Sequence, residues 1–248
     1  ALGSVLKVDL EPRDIARLGQ TAEHEYAGVR CGLLDQITSL FGRESALVET
    51  DFRTLTVSTV PLAPDLEFLI ANTAVKHNLV DSAYNERRAK CEEAARFFAG
   101  VLPHPVNALR DVSPAEWRAF AGQMDPVTAR RSAHVVGEID RVQRGAELLK
   151  RGKWREFGEL MFESHESSRT QFENSCPELD HLVATAHSIP DVLGARLSGG
   201  GFGGSAVVLV SCSAAEAVAG QLVASYRQAF GHPCEVLSIR ASEGARLL

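Results

Sequence analysis

No two of the five cysteines, Cys31, Cys91, Cys176, Cys212 and Cys234, stand in a C-x-x-C pair, and their odd number is scattered over 248 residues. That excludes a zinc ribbon and a stapled disulfide framework, and leaves packed thiols as the simple reading. The eight histidines contain no H-E-x-x-H; "AEHEY" around His24 is only superficially like it. Basic charge is not in excess either. With 26 Lys and Arg against 32 Asp and Glu the net charge is −6, so no global positive field draws nucleic acid or an anionic membrane surface. No apolar run is long enough to span a bilayer, and no basic, apolar leader opens the sequence. The expectation is a reduced, cytoplasmic setting. Internal repeats, low-complexity tracts and long linkers are also lacking. So is an initiator methionine: the sequence opens "ALGSVLKV", which reads like the middle of an apolar helix and suggests that an N-terminal part precedes it.

What is present suits a folded core. Apolar content of 45% and charged content of 23% are ordinary for a globular chain, and the length allows one large domain or two small ones. Pro12 in a first helical turn predicts a helix ending near Gly28, and "GLLDQITSLFG" predicts a second ending at Gly42. "SALVETDF", "TLTVSTVPL" and "LEFLIANT" read as strands. "DSAYNERRAKCEEAARFFAG" then sets Tyr84, Arg88, Cys91, Ala95 and Phe98 on one helical stripe. Ser113-Pro114-Ala115-Glu116 has the form of a capping box, and Asp125-Pro126 opens a long helix by the same logic. Helical patterns continue through "KWREFGELMFESHESSRTQF" and "PELDHLVATAHS". Strands "ARLSG" and "SAVVLVS", a helix capped by Ser213 and Glu216, and strand "CEVLSI" close the chain. Strands at both ends of a helical middle make this an α+β fold.

Three features bear on chemistry. Asp35 follows two leucines in the first turns of a helix, where peptide dipoles favour negative charge and where a carboxylate can accept a proton from, or orient, a substrate hydroxyl. From spacing alone, an aspartate serving its own helix N-terminus is the simpler account. Glu23, twelve positions earlier, is a hard oxygen ligand of the kind magnesium takes beside phosphates, although by itself it reads as a solvated helix residue. Arg87 and Arg88 read as a solvated charged face, and Tyr84 as a helix tyrosine able to stack on a ligand or to join the core. The run "SGGGFGG", Ser198 to Gly204, lacks the lysine of a phosphate-binding P-loop and opens no helix. Its glycines serve close backbone approach, either to another backbone or to a phosphorylated ligand.

Taken together, "CGLLDQITSLFG", "NTAVKHNLVDSAYNERRAKCEEAARFF" and "ARLSGGGFGGSAVVLV" resemble the galactokinase family of the GHMP small-molecule kinases. The linking segments "LRDVSPAEW", "MDPVTARR" and "GELMFESHESSR" resemble it in order and spacing. The resemblance implies a GHMP-kinase-like fold, with residues 1–60 the remainder of an N-terminal domain and 61–248 a C-terminal domain with a ferredoxin-like half. It implies ATP-dependent phosphorylation of the anomeric hydroxyl of galactose, with ATP and Mg2+ required and no nucleic acid or membrane partner. Asp35 would be the catalytic aspartate, Gly32, Asp35 and Tyr84 would contact the sugar, and Glu23 would bind magnesium. Ser198, Gly199, Gly200, Gly201, Gly203 and Gly204 would form a loop of the nucleotide site, with Phe202 as an apolar anchor. The family's first two motifs, with the transition-state arginine and the phosphate loop, have no match in these residues. The expectation is that these 248 residues alone do not phosphorylate galactose and that open apolar surface makes them poorly soluble or self-associating. Two other readings stand beside this one: a kinase for N-acetylgalactosamine or arabinose, and a non-catalytic galactose-binding regulator.

Overall fold

The computed structural model describes residues 10–28, 31–76 and 80–246, with the side chains of 76 and 80–84 outside the description. The chain forms two compact units, one of residues 1–64 with 240–248 and one of residues 65–239.

In the first unit, α1 (Pro12–Glu25) starts with proline in its first turn, where the missing N–H has no helical partner to lose. Gly28, with φ +71°, lies just past the end of α1. Helix α2 (Leu34–Phe41) buries Ile37 and is followed by an antiparallel hairpin of β1 (Ala46–Asp51) and β2 (Thr56–Pro61). The C-terminal segment returns to this unit: the Gly244 amide donates to the Gly42 carbonyl and the Ala245 amide to the Ser39 carbonyl, at 2.9 and 2.6 Å.

The second unit is built on a four-stranded antiparallel sheet in the order β4-β5-β3-β6, where β3 is Leu66–Lys76, β4 Val192–Ser198, β5 Gly203–Ser211 and β6 Glu235–Ile239. Between β3 and β4 run α3 (Val80–Val101), α4 (Pro114–Phe120), α5 (Pro126–Lys150), α6 (Trp154–Ser167) and α7 (Pro177–His187). Helix α8 (Ala215–Phe230) connects β5 to β6. This is a ferredoxin-like β-α-β-β-α-β order whose first crossover is a bundle of helices instead of one.

Alternate residues of β5, Ala206, Val208 and Val210, face the same core as Leu179, Leu182 and Ala186 of α7 and Val218 and Leu222 of α8. Each leucine or valine so buried contributes roughly 1.5–3 kcal/mol. Tyr226 closes this core, its hydroxyl donating to the Thr73 carbonyl at 2.9 Å, and burial pushes its phenol up to about 12. A second cluster gathers Ala94 and Phe98 of α3 with Leu109, Val112 and Val136.

The capping box is formed as expected: the Glu116 amide donates to Ser113 Oγ while Glu116 Oε2 accepts the Ser113 amide at 2.9 Å. Asp125 likewise caps α5 by accepting the Thr128 amide at 3.0 Å. The expected cap on α8 is not made. Ala214 is the residue at that boundary, with no side-chain cap, because the Ser213 hydroxyl lies 3.4 Å from that of Ser211 instead.

Candidate active site

In the first unit, two side chains one turn apart on α1 grip the segment that leads to Asp35. Gln20 Nε2 donates to the Cys31 carbonyl at 3.1 Å, and His24 Nε2 shares the same oxygen at 2.9 Å. Both orders follow from helical geometry, since residues four apart share a face. Cys31 is thereby tied to α1, and the chain then enters α2 with Asp35 in its first turn and no side-chain cap. Asp35 is exposed, and so is Leu34 beside it; of that turn's apolar company only Ile37 is buried, so the carboxylate faces solvent more than the two preceding leucines suggest. Gly32 is exposed, and a Cβ there would meet nothing within 4 Å. Glu23 is exposed on α1, and no group of three or more metal-binding side chains gathers among the described residues. Glu23 therefore fits only a magnesium held through one carboxylate, with water and substrate phosphates as the other ligands.

The glycine run lies in the second unit and is the hairpin connection between β4 and β5, closed by the Ser198–Ser205 pair. Its Gly199, Gly201, Gly203 and Gly204 have positive φ, and so does Phe202 at +59°. A left-handed non-glycine residue of this kind costs of order 1–3 kcal/mol and persists only where its surroundings hold it. The restraint comes from Asn174, at the end of the π-helical turn Ser168–Phe172 that follows α6. The Asn174 carbonyl accepts the Phe202 amide at 2.6 Å, and Asn174 Nδ2 donates to the Gly200 carbonyl at 3.1 Å. A Cβ on Gly201 would overlap the Asn174 carbonyl oxygen, so this glycine serves backbone approach. At Gly199, Gly200 and Gly204 a Cβ would meet nothing within 4 Å. Across the loop, Thr73 Oγ1 donates to the Gly204 carbonyl at 2.8 Å beside a bulge in β3.

Tyr84 lies in α3, and its side chain is outside the described residues. One turn on, Arg87 corrects the expectation of a solvated face: it is 8% exposed, while Arg88 is exposed and paired with Glu92 at 3.0 Å. Arg87 Nε and Nη2 donate to the carbonyls of Phe172 and Glu173, and its Cζ lies 4.8 Å from the centre of the Phe202 ring. Burial, with Arg131 nearby, lowers the Arg87 pKa from its ordinary value. Nothing local announces this burial, because the accepting carbonyls come 85 and 86 residues later. Two open grooves of about 600 Å³, one between α5 and α6 and one between α3 and α5, are lined by none of Glu23, Gly32, Asp35 or the glycine loop. The first is bordered by Arg144, Glu147, Glu159 and Glu163, a solvated inter-helix surface.

The family model described as "GHMP kinases N terminal domain" matches residues 1–43, which contain Glu23, Gly32 and Asp35. That described as "GHMP kinases C terminal" matches residues 146–228, which contain the glycine hairpin. The chain belongs to the GHMP kinases. Among curated GHMP kinases it is 44% identical over 234 residues to a galactokinase of Bos taurus and 41% identical to one of Homo sapiens, in each case over 94% of this chain and 57% of the relative. The chain thus spans little more than half the length of these relatives. A crystal structure of Lactococcus lactis galactokinase complexed with galactose superposes with a TM-score of 0.93 at 31% identity, over 100% of this chain and 64% of that one. A mevalonate kinase of L. major, 19% identical with a TM-score of 0.61, shares the fold, over 98% of this chain and 63% of its own.

Proposed function

We propose that this GHMP kinase transfers the γ-phosphoryl group of ATP to the anomeric hydroxyl of galactose, giving galactose 1-phosphate and ADP. The observation that carries the reading is the likeness along the whole chain to a galactokinase solved with galactose. Phosphoryl transfer asks a protein chiefly for positioning and charge neutralisation, and each unit carries residues of the kinds that supply them. Asp35, at the mouth of α2 and unencumbered by a cap, accepts the proton of the attacking hydroxyl or holds that hydroxyl in line. Gly32, with no side chain to fill its open face, lets the sugar approach the backbone, and Tyr84 contacts the ring. The glycine hairpin lies along the nucleotide, its open residues Gly199, Gly200 and Gly204 turned to the phosphates. Magnesium, when bound, neutralises charge on the phosphates, and Glu23 supplies its carboxylate ligand. Among the described residues no helix is long and apolar enough to cross a membrane, and all five cysteines are free. A cytoplasmic setting, where ATP is abundant and thiols stay reduced, goes with the reading.

The test is ADP release by the intact protein, as its gene encodes it, with Mg2+ and ATP and a panel of galactose, N-acetylgalactosamine and arabinose. Release that is fastest with galactose supports the proposal. Preference for another sugar moves the substrate, and galactose binding without ADP release makes the protein a regulator.

A further inference from the structure

The glycine hairpin does not hold its shape by itself. Five of its residues from Gly199 to Gly204 have positive φ, Phe202 among them, and Glu173 on the segment beneath it is left-handed too, at +53°. Two buried arginines meet at that segment. Arg131, 3% exposed, donates through Nη1 to the Gln171 carbonyl at 2.5 Å and through Nη2 to the Glu173 carboxylate at 2.6 Å. Arg87 donates to the carbonyls of Phe172 and Glu173, at 2.9 and 2.7 Å, and its Cζ lies over the Phe202 ring, 4.8 Å from the ring centre. The Glu173 peptide leads directly into Asn174, whose backbone and side chain hold Phe202 and Gly200. One guanidinium therefore touches both sides of the joint between the π-helical turn and the hairpin.

We infer that Arg87 is a positioning residue: a planar clamp between the Phe172–Glu173 carbonyls and the Phe202 ring that sets the shape of the glycine hairpin and so the seat of the nucleotide's phosphates. The inference rests on the reading of that hairpin as part of the nucleotide site. Only arginine has the geometry for it. A guanidinium donates along its edge while its face stacks on a ring, whereas a lysine ammonium is a point charge without a face.

Arg87→Lys keeps the charge and loses the fork and the face; Phe202→Leu keeps apolar bulk and loses the ring. Both are made in the intact protein, with thermal melting as the check on folding. Equilibrium binding of ADP and the KM values for ATP and galactose are then measured. Arg87→Lys is expected to weaken ADP binding and raise the KM for ATP by about ten-fold, with the KM for galactose within about two-fold. Phe202→Leu moves the same quantities less, and the double variant loses less than the two single losses combined, because both remove one contact. Tyr84 shares α3 with Arg87, so general damage to that helix would raise both KM values together, and that result overturns the clamp. Unchanged nucleotide binding in Arg87→Lys overturns it as well. A wild-type protein that neither turns over galactose nor binds ADP refutes the functional reading instead. The clamp is then read from amide exchange of residues 199–204, which accelerates in Arg87→Lys if it holds and stays unchanged if it does not.

Discussion

Gly158 of α6 and Gly194 of β4 meet backbone to backbone. A Cβ on Gly158 would overlap the Leu193 carbonyl, and one on Gly194 would overlap the backbone of Gly158. The helix thus rests on the sheet with no side chain between them, and its C-terminal end carries the π-helical turn that holds the glycine hairpin. Gly158→Ala or Gly194→Ala must separate the two elements, and each is expected to cost about 1–3 kcal/mol or more in denaturant unfolding. Gly220 in α8 has nothing within 4 Å of its would-be Cβ, so Gly220→Ala is expected to stabilise by about 0.4–1 kcal/mol. Equal effects at all three positions would contradict this account of the α6–β4 contact.

Two neighbouring glycines of the hairpin separate architecture from ligand access. Gly201→Ala drives a methyl into the Asn174 carbonyl and is expected to lower both the melting temperature and nucleotide affinity. Gly200→Ala meets open space, so stability should stay within about 0.5 kcal/mol while nucleotide affinity falls. Calorimetry with ADP alongside thermal melts tells the two apart. If Gly200→Ala leaves ADP binding untouched, the open side of the hairpin does not receive the phosphates.

The grip of α1 on Cys31 predicts an effect on the sugar. His24→Ala removes one of two donors to the Cys31 carbonyl and loosens Cys31, which is bonded to Gly32 and leads to Asp35. A single such hydrogen bond contributes about 0.5–1.5 kcal/mol, so the KM for galactose should rise roughly two- to ten-fold. The KM for ATP is expected to stay put, and a parallel rise in both would argue against local docking.

His134 makes stability depend on pH. It is 9% exposed, stacked on Phe172 with ring centres 4.6 Å apart and hydrogen-bonded through Nδ1 to Ser167 Oγ at 2.9 Å. Burial pushes its imidazole down to about 4. An unfolded histidine titrates near 6.5, so between those values the unfolded chain takes up a proton that the folded chain refuses. The stabilisation is complete above pH 6.5 and declines as pH falls, by roughly 2 kcal/mol between pH 7 and pH 5. Chemical unfolding of the wild type and of His134→Asn at both pH values checks this. The variant should lack that part of the pH slope, and identical slopes would place the titration elsewhere.

Much of the fold was legible because its signals are local. The strand runs, Pro12, the Ser113–Glu116 box and Asp125 each act within a few residues of themselves, and the structure uses them where they stand. The unread features join distant segments. Arg87 looks like one of a solvated pair until carbonyls more than eighty residues later surround it, and Gly158 is an unremarked helix glycine until Gly194 lies against it. The misplaced cap on α8 fails for a small reason, a serine turned toward another serine. At the site, Asp35 and Glu23 are exposed helix carboxylates whose spacing carries no chemistry of its own. Their proposed roles come from likeness to relatives, whereas the clamp on the hairpin is visible only in the packing.

Transfer of labelled γ-phosphate from ATP to galactose, followed in the intact wild-type protein and in Asp35→Asn, tests the central claim most directly. Galactose 1-phosphate forming in the wild type, about 10²–10⁴-fold more slowly in the variant, is the result expected for a carboxylate that takes or orients the hydroxyl proton. No sugar phosphate from the wild type, or equal rates from both proteins, would contradict the assignment.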